Sequence, residues 1–157
     1  MFLTKGDTAV DFVAHDTDNN KIHLFEVLNK TTVLAFFPAA FTSVCESELC
    51  HFQNDLSKLS ALNSQVIAVS VDSPFSLKAF KDKNNLDFTV LSDYSREIVT
   101  KYGIGHENFV GMEGYTAAKR SVFVIDQNHK IQYVWISDDP GVEPNYEEIS
   151  NTIQNLP

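Results

Sequence analysis

The residues best suited to chemistry lie in one short stretch, "FFPAAFTSVCESELC", residues 36–50. The stretch contains Pro38, Thr42 and both cysteines of the chain, Cys45 and Cys50. An apolar run typical of a buried strand ends at Pro38, and an amphipathic helical pattern follows it. Two thiols at this spacing fit core packing, metal ligation, a structural disulfide or redox chemistry, so their surroundings must discriminate among these.

Cys45 is predicted on the first turn of the helix that follows the strand. Free backbone N–H groups and the positive end of the helix dipole favour an anion there, and the thiolate is the nucleophilic form of cysteine. Thr42 can accept and donate a hydrogen bond beside the sulfur, and Pro38 fixes the bend between strand and helix. These features are typical of an activated nucleophile, although a small buried residue is the alternative for Cys45. For Cys50 considered alone, core packing is the simpler interpretation.

Other chemistries fit the sequence poorly. Aspartates end three predicted strands and could indicate a metal or phosphoryl site, but such residues usually cap turns: Asp72, Asp93 and Asp126. Cys45, Cys50 and His51 could donate to zinc, but no second closely spaced ligand pair exists to close a tetrahedral site. The first strand-to-helix turn, "PAAFTSV", has no glycine and therefore does not resemble a phosphate-binding loop.

Apolar runs alternate with helical patterns and predict the order β-α-β-α-β-α-β-β-α. Strands are predicted at 31–37, 65–72, 88–93, 121–126 and 131–137, and helices at 42–62, 73–85, 94–103 and 145–156. Segment 21–28 fits a strand or a short helix. This order implies an α/β sandwich, a central mixed β-sheet flanked by helices, formed by a single domain over residues 1–157. Loop 103–119 fits either a functional loop or a plain surface loop.

The composition restricts the class of function. The chain has 157 residues, 43% of them hydrophobic and 21% charged, which is typical of a globular domain with a substantial core. Its formal net charge of −9 argues against binding to nucleic acid or to an anionic membrane. We find no apolar run of bilayer-spanning length and no signal-peptide pattern, so a cytoplasmic location, where thiols stay reduced, is expected.

The spacing Pro38-x-x-x-Thr42-x-x-Cys45 resembles the active-site motif of the peroxiredoxins, Pro-x-x-x-Thr/Ser-x-x-Cys. It also lies where that family has the motif, after a buried strand and on the first turn of a helix. Arg120, just before a later strand, resembles the family's arginine, whereas Arg96 within a short helix is expected to be a surface charge. The similarity in element order covers nearly the whole chain and implies a thioredoxin-like sandwich.

The resemblance implies a role for each matching residue. Cys45 would be the peroxidatic nucleophile, whose thiolate attacks a hydroperoxide and becomes a sulfenic acid. Arg120 would stabilise the thiolate and bind the peroxide oxygens, Thr42 would position the peroxide, and Pro38 would shield the sulfenic acid. Glu48 resembles a recurring acidic position that can hold the arginine. The alternative for Arg120 is an ion pair with Glu48 or another acid and no role in catalysis.

Cys50 resembles the resolving cysteine of the Cys-x-x-x-x-Cys subgroup, the bacterioferritin-comigratory or Q type. In an intact helix the Cα atoms of Cys45 and Cys50 would lie about 8 to 9 Å apart, whereas a disulfide needs less than about 7 Å. The helix would therefore have to unwind before Cys50 attacks. Without resolution by Cys50, the chain would be similar to the one-cysteine alkyl hydroperoxide reductase E type. The resemblance further implies a hydroperoxide substrate, recycling by thioredoxin or a similar dithiol, no flavin, haem or metal, and a monomer or homodimer.

Two other functions remain open from the sequence. A thioredoxin-type thiol–disulfide oxidoreductase shares the expected fold. That chemistry is typical of a Cys-x-x-Cys pair that faces a proline before a later strand, whereas this chain has the spacing Cys-x-x-x-x-Cys, and "TAAKRSVF" has Arg120 and no proline. A non-enzymatic peroxide sensor would use Cys45 as a switch without sustained turnover. The loop around Phe109, Met112 and Tyr115 is expected to line the substrate entrance or an interface.

Overall fold

A computed structural model describes residues 3–157 and contains a seven-stranded sheet. The elements, in chain order, are β1 (Val13–Asp16), β2 (Lys21–His23), α1 (Leu24–Val27), β3 (Thr31–Phe36), α2 (Ser43–Asn54), α3 (Leu56–Ala61), β4 (Ser64–Ser70), α4 (Pro74–Lys83), β5 (Thr89–Ser92), α5 (Glu97–Lys101), β6 (Gly105–His106), β7 (Ala117–Ala118), β8 (Ser121–Ile125), β9 (Ile131–Ile136) and α6 (Tyr146–Gln154). The large sheet has the order β2-β1-β5-β4-β3-β8-β9, and β6 and β7 form a separate two-stranded sheet.

The large sheet is mixed, as the sequence predicts. Strand β3 runs parallel to β4 and antiparallel to β8, and β4 runs parallel to β5. Strands β8 and β9 form the predicted antiparallel hairpin. All six residues of β3 are buried because both faces of this central strand are covered, which explains its unbroken apolar sequence.

Successive residues of β3 point into two different hydrophobic clusters. Leu34 and Phe36 pack on the face covered by α5, and Val33 and Ala35 pack on the face covered by α2, α3, α4 and α6. Phe37, the residue after the strand, packs in the same cluster as Val33 and Ala35. Helix α2 therefore packs on the same face of the sheet as Val33 and Ala35, and the loop after β3 leads into its first turn.

The structure differs from the sequence prediction in several places. Strands β1, β6 and β7 were not predicted, and the helix predicted over 94–103 is limited to Glu97–Lys101. The helix predicted over 42–62 is divided at Asp55 into α2 and α3, although the hydrogen bonds from Asp55 N to His51 O and from Leu59 N to Asp55 O, both 3.0 Å, continue across the junction. Segment 21–28 is a strand followed by a short helix, β2 and α1, so each alternative is correct for part of it.

The strand-end aspartates hold turns, as expected of such residues. Asp72 accepts hydrogen bonds from Ala40 N at 2.9 Å and Ser70 Oγ at 2.7 Å, so it also fixes the loop that leads to α2. Asp93 accepts from the first amides of α5, and Asp126 caps the β8–β9 turn. Within residues 3–157, no group of three or more His, Cys, Asp or Glu side chains is placed to hold a metal ion.

Loop 103–119 is partly ordered by Arg96, which we expected to be a surface charge. Its Nε donates to Thr116 O at 3.1 Å, its Nη1 donates to Tyr94 O at 2.8 Å, and the guanidinium lies 5.5 Å from the ring centre of Tyr115. Arg96 is half-buried, and the sequence did not indicate these contacts because a carbonyl such as that of Thr116, 20 residues away, becomes an acceptor only in the folded chain. No helix in residues 3–157 is long and apolar enough to cross a membrane.

Candidate active site

Cys45 lies in the first turn of α2, where the sequence predicts it, and its side chain is 1% exposed. The residue before the helix, Thr42, is extended, and the bond from Glu46 N to Thr42 O, 2.9 Å, is the first of the helix. The amides of Ser43, Val44 and Cys45 itself precede that bond and give this end of the helix its positive potential. The sulfur of Cys45 therefore lies at the positive end of the helix dipole.

Arg120 reaches Cys45 from the residue immediately before β8. Its Nη2 donates to Cys45 Sγ at 3.1 Å, and its Nη1 donates to Glu48 Oε1 at 2.7 Å. Nε and Nη2 also donate to Pro140 O, at 3.2 and 2.8 Å. The guanidinium is 1% exposed and is fixed by two oxygen partners while one nitrogen faces the sulfur.

Glu48 supports the arginine from within α2, three residues after Cys45. Its carboxylate is fully buried, and Oε2 has no hydrogen-bond partner among the described residues. Burial raises the pKa of Glu48 to about 7, and Arg120 offsets only part of that rise. Burial alone would lower the pKa of Arg120, but the nearby charges of Glu48 and Cys45 outweigh it and raise that pKa. The arginine therefore stays cationic beside the sulfur.

Thr42 and Pro38 lie beside Cys45, but the hydroxyl of Thr42 is more restricted than the sequence suggested. Thr42 Oγ1 donates its proton to Ala39 O at 2.8 Å, so it remains available to a ligand only as an acceptor. Pro38 is buried, and both residues line a cavity that also contains Cys45 and Arg120.

This cavity has a volume of about 420 Å³ and a largely apolar rim. Its rim residues come from loop 103–119 and the segment after β9: Phe109, Val110, Met112, Tyr115, Pro140 and Gly141. Three of these, Phe109, Met112 and Tyr115, were expected to line the substrate entrance or an interface, and here they line the cavity. Val110 and Met112 are exposed, by 67% and 47%. The backbone of Val110 is left-handed, with φ 47°, which is strained for a β-branched residue.

Cys50 lies outside the cavity, on the other side of α2. Both cysteines are free thiols in a continuous helix, so the expected separation holds. Cys50 Sγ is half-buried and donates to Asn84 Oδ1 at 3.5 Å. Burial, and secondarily the charge of Glu46, raises the pKa of Cys50. In this conformation Cys50 is a poor nucleophile without access to Cys45.

Comparisons with known proteins agree with this geometry. The model of the AhpC/TSA family matches residues 5–134. A relative from Mycobacterium tuberculosis (strain ATCC 25618 / H37Rv) that is named as a peroxiredoxin is 33% identical over 129 residues, which are 82% of each chain. Peroxiredoxin Bcp of Escherichia coli (strain K12) is 28% identical over 153 residues, 97% of this chain and 96% of that one. The crystal structure of peroxidoxin BcpB from M. tuberculosis superposes with a TM-score of 0.86 at 25% identity, covering 98% and 97% of the two chains.

The chain belongs to the AhpC/TSA family. The two Bcp matches confirm the bacterioferritin-comigratory/Q subgroup and the thioredoxin-like fold predicted from the sequence. The chain is accordingly a thiol-dependent peroxidase, an oxidoreductase that acts on a peroxide and uses a thiol reductant.

Sequence reasoning missed two members of this peroxiredoxin site. The carbonyl of Pro140 fixes the guanidinium, and the carboxylate of Asp72 fixes the loop before α2. A proline carbonyl has no sequence signal, because any residue has a carbonyl. Asp72 had a signal, its position after a strand, but its partner Ala40 lies 32 residues away, and the two meet only where the loops after β3 and β4 come together in the folded chain.

Proposed function

We propose that Cys45 is the peroxidatic residue and that Arg120 activates it. The observation that carries this proposal is the 3.1 Å hydrogen bond from Arg120 Nη2 to Cys45 Sγ. The Cys45 thiolate attacks the terminal oxygen of the hydroperoxide, an S–O bond forms, and the O–O bond breaks. The electron pair of the broken O–O bond leaves with the other peroxide oxygen as hydroxide or alkoxide, which takes a proton to become water or an alcohol. Cys45 is left as a sulfenic acid.

The neighbours of Cys45 support roles in positioning. The Arg120 guanidinium can donate to the peroxide oxygens as negative charge moves from sulfur to the leaving oxygen, and a fixed cation in a buried site stabilises that charge. Thr42 Oγ1, whose own proton is donated to Ala39, accepts the hydrogen bond of the hydroperoxide O–H. Glu48 holds Arg120 in place, and Pro38 covers the sulfur and restricts access of excess peroxide to the sulfenic acid.

The apolar rim supports organic hydroperoxides as substrates in addition to hydrogen peroxide. Exposed apolar groups at Val110 and Met112 surround a cavity whose polar groups lie at its base. An alkyl group bound against this rim would leave its peroxide end near Cys45. The charge interactions at the base do not depend on the alkyl group, so hydrogen peroxide also fits.

We further propose that Cys50 resolves the sulfenic acid. Its sulfur attacks Cys45 Sγ, an S–S bond forms, the S–O bond breaks, and the hydroxyl leaves as water with the thiol proton of Cys50. The first turns of α2 must unwind for this step, because in an intact helix the Cα atoms of Cys45 and Cys50 lie about 8 to 9 Å apart, too far for a disulfide. Thioredoxin or a similar dithiol then reduces the disulfide by exchange.

Two variants test these assignments. Cys45→Ser is expected to abolish peroxide consumption, measured with a thiol reductant in excess, and retained activity would exclude Cys45 as the nucleophile. Cys50→Ser is expected to consume one equivalent of peroxide and then to fail in recycling by thioredoxin. If Cys50→Ser recycled like the unmodified protein, Cys50 would be a core residue and the enzyme would be of the one-cysteine type.

Three broader properties belong to the same proposal. The two packed faces of one sheet support a single domain over residues 1–157. Both cysteines are free thiols and the reaction needs a reductant, which supports a reducing compartment such as the cytoplasm. We also propose a monomer or homodimer in solution, which sedimentation of the reduced and oxidised protein would measure.

A further inference from the structure

The end of α4 contacts α2 at both the residue after Cys45 and the resolving cysteine. Lys83 Nζ donates to Glu46 Oε1 at 3.0 Å, and Asn84 Nδ2 donates to the same oxygen at 3.5 Å. The side-chain oxygen of Asn84 accepts from Cys50 Sγ at 3.5 Å. Asn84 thus bridges two successive turns of α2, and we call these four residues the α2–α4 clasp.

Lys83 also reaches the loop on the other side of Cys45. Its Nζ lies 5.6 Å from the ring centre of Phe41, and that ring packs edge-on against Phe80 of α4 at 5.4 Å. The contacts of α4 therefore flank Cys45 on both sides in sequence. Arg120 and the cavity lie elsewhere, so the clasp touches none of the groups proposed to bind peroxide.

We propose that Lys83 and Asn84 are positioning residues that set how readily α2 opens, and hence the rate at which Cys50 resolves oxidised Cys45. This inference rests on the proposed resolving role of Cys50. To form the disulfide, Cys50 must leave the oxygen of Asn84 and Glu46 must move away from Lys83. Farther along, Gln53 and Asp87 exchange two hydrogen bonds of 2.7 and 2.9 Å, which hold the rest of α2 in place.

The clasp would also set sensitivity to excess peroxide. The sulfenic acid at Cys45 has two competing fates. Attack by Cys50 gives the disulfide and water, whereas a second hydroperoxide transfers an oxygen to the sulfur, giving a sulfinic acid and an alcohol or water. A closed clasp lengthens the lifetime of the sulfenic acid and so favours the second fate. A weakened clasp favours the disulfide.

The experiment separates the two chemical steps. Reduced protein is mixed with one equivalent of hydrogen peroxide and quenched with acid over time, and alkylation with intact mass spectrometry counts sulfenic acid and disulfide. Lys83→Met removes the partly exposed ion pair between Lys83 and Glu46, so disulfide formation in this variant is expected to be about two- to fivefold faster than in the unmodified protein. In Asn84→Ala, which loses both hydrogen bonds to α2, we expect it to be about three- to tenfold faster. The rate of peroxide loss is expected to stay unchanged in both.

Matched variants distinguish this role from a general loss of stability. Lys78→Met removes a lysine of the same helix whose partners, Asp18 and Asp82, are not in α2, so we expect it to leave both rates unchanged. In a Glu46→Gln background the effect of Lys83→Met is expected to shrink, because the partner charge is already gone. Asn84→Ala also removes a hydrogen bond from Asn84 to Phe80 O at the end of α4. Lys83→Met keeps that bond, so a faster rate in Lys83→Met cannot be due to its loss.

Each outcome bears on one of the two proposals. Faster disulfide formation, with more peroxide needed to produce equal sulfinic acid, supports the clasp. An unchanged rate of disulfide formation in both Lys83→Met and Asn84→Ala overturns the clasp and leaves the role of Cys50 intact. If the unmodified protein forms no Cys45–Cys50 bond, the resolving role itself fails and the clasp inference fails with it.

Discussion

At the residue scale, the proposed chemistry depends on one cation held beside one sulfur. Arg120 uses three nitrogens on Cys45, Glu48 and Pro140 O, and a planar guanidinium can do so because its donors diverge in fixed directions. A lysine has the same charge but a single nitrogen on a flexible stem. The position of the charge, and not only its sign, is therefore expected to control reactivity.

Arg120→Lys tests this expectation. Oxidation of the predicted nucleophile, Cys45, should slow by about 10²-fold, the order found for loss of one fixed charge-stabilising donor. Stopped-flow mixing of reduced protein with hydrogen peroxide measures the rate. The control is Lys78→Arg, a conservative change of a cation whose partners, Asp18 and Asp82, lie away from the cavity. A rate for Arg120→Lys equal to that control would contradict the role.

Glu48 gives a prediction in pH. Its pKa rises from 4.5 to about 7 on folding, so the folded chain binds the proton more tightly than the unfolded chain. This contribution to stability is complete below the unfolded pKa and is lost as pH rises through about 7. Relative to Glu48→Gln, the unmodified protein should therefore lose free energy of unfolding, on the order of 3 kcal/mol, as the pH is raised.

Urea titrations of both proteins at a series of pH values from about 5 to 8 measure this difference. Parallel curves for the unmodified protein and the Glu48→Gln variant would show that the carboxyl is not the group that titrates. Asp126→Asn provides a control, because partners in its turn lower the pKa of Asp126 on folding, so its stability contribution is lost only at acid pH, and its difference curve should be flat from about pH 5 to 8.

At the element scale, α2 holds both cysteines and keeps them apart. Its apolar side, including Leu49 and Phe52, is fully buried or nearly so, and this packing resists unwinding of the second half of the helix. The first half is held by the clasp and by the contacts of Cys45 and Glu48 with Arg120. Partial unwinding is thus expected to begin in the first turns.

Hydrogen–deuterium exchange can locate that unwinding. After one equivalent of hydrogen peroxide, amides in 46–50 should lose protection in the unmodified protein, whereas those of α3 and α4 should keep it. Cys50→Ser, which can form the sulfenic acid but not the disulfide, should retain more protection in 46–50 than the oxidised unmodified protein. Full protection of 46–50 in protein shown by mass spectrometry to have the Cys45–Cys50 bond would contradict the helix geometry.

At the scale of the whole molecule, the cavity is formed by segments that are distant in sequence. Its polar base comes from the loop before α2 and from Arg120, and its apolar rim comes from loop 103–119 and the segment after β9. Rim substitutions can therefore change binding of the alkyl part of a substrate without altering the charges around Cys45. This separation predicts a substrate-dependent effect.

Val110→Asn combined with Met112→Gln should raise KM for a bulky aryl hydroperoxide by about tenfold while changing KM for hydrogen peroxide little, since burying two apolar groups contributes about 1 to 2 kcal/mol. Asparagine also tolerates the left-handed backbone of Val110, so the fold should not be weakened. Phe75→Ser, at an apolar residue 80% exposed outside the cavity, is the matched control. Equal increases in KM for both peroxides would contradict a role for the rim in substrate preference.

The sequence by itself determined the order of elements from β3 onward, without the short β6 and β7, together with the mixed sheet and the placement of Cys45 on a helix start and Arg120 before a strand. These features are local, because hydrophobic periodicity, a proline and helix-end chemistry act over a few residues. The family resemblance added the pairing of Arg120 with Cys45, 75 residues apart, and the structure places them in contact.

Only the tertiary structure decided which partners complete the site. The carbonyl of Pro140, the hold of Asp72 on Ala40, the anchoring of the loop by Arg96 and the bridge from Asn84 to Cys50 all join segments that no local pattern relates. Backbone carbonyls and ordinary polar side chains occur throughout the chain, and which of them meet is set by how helices pack on the sheet. The sequence could thus indicate the sulfur that we propose as the nucleophile, but the fold determined which groups contact it and which contacts the proposed resolving step would have to break.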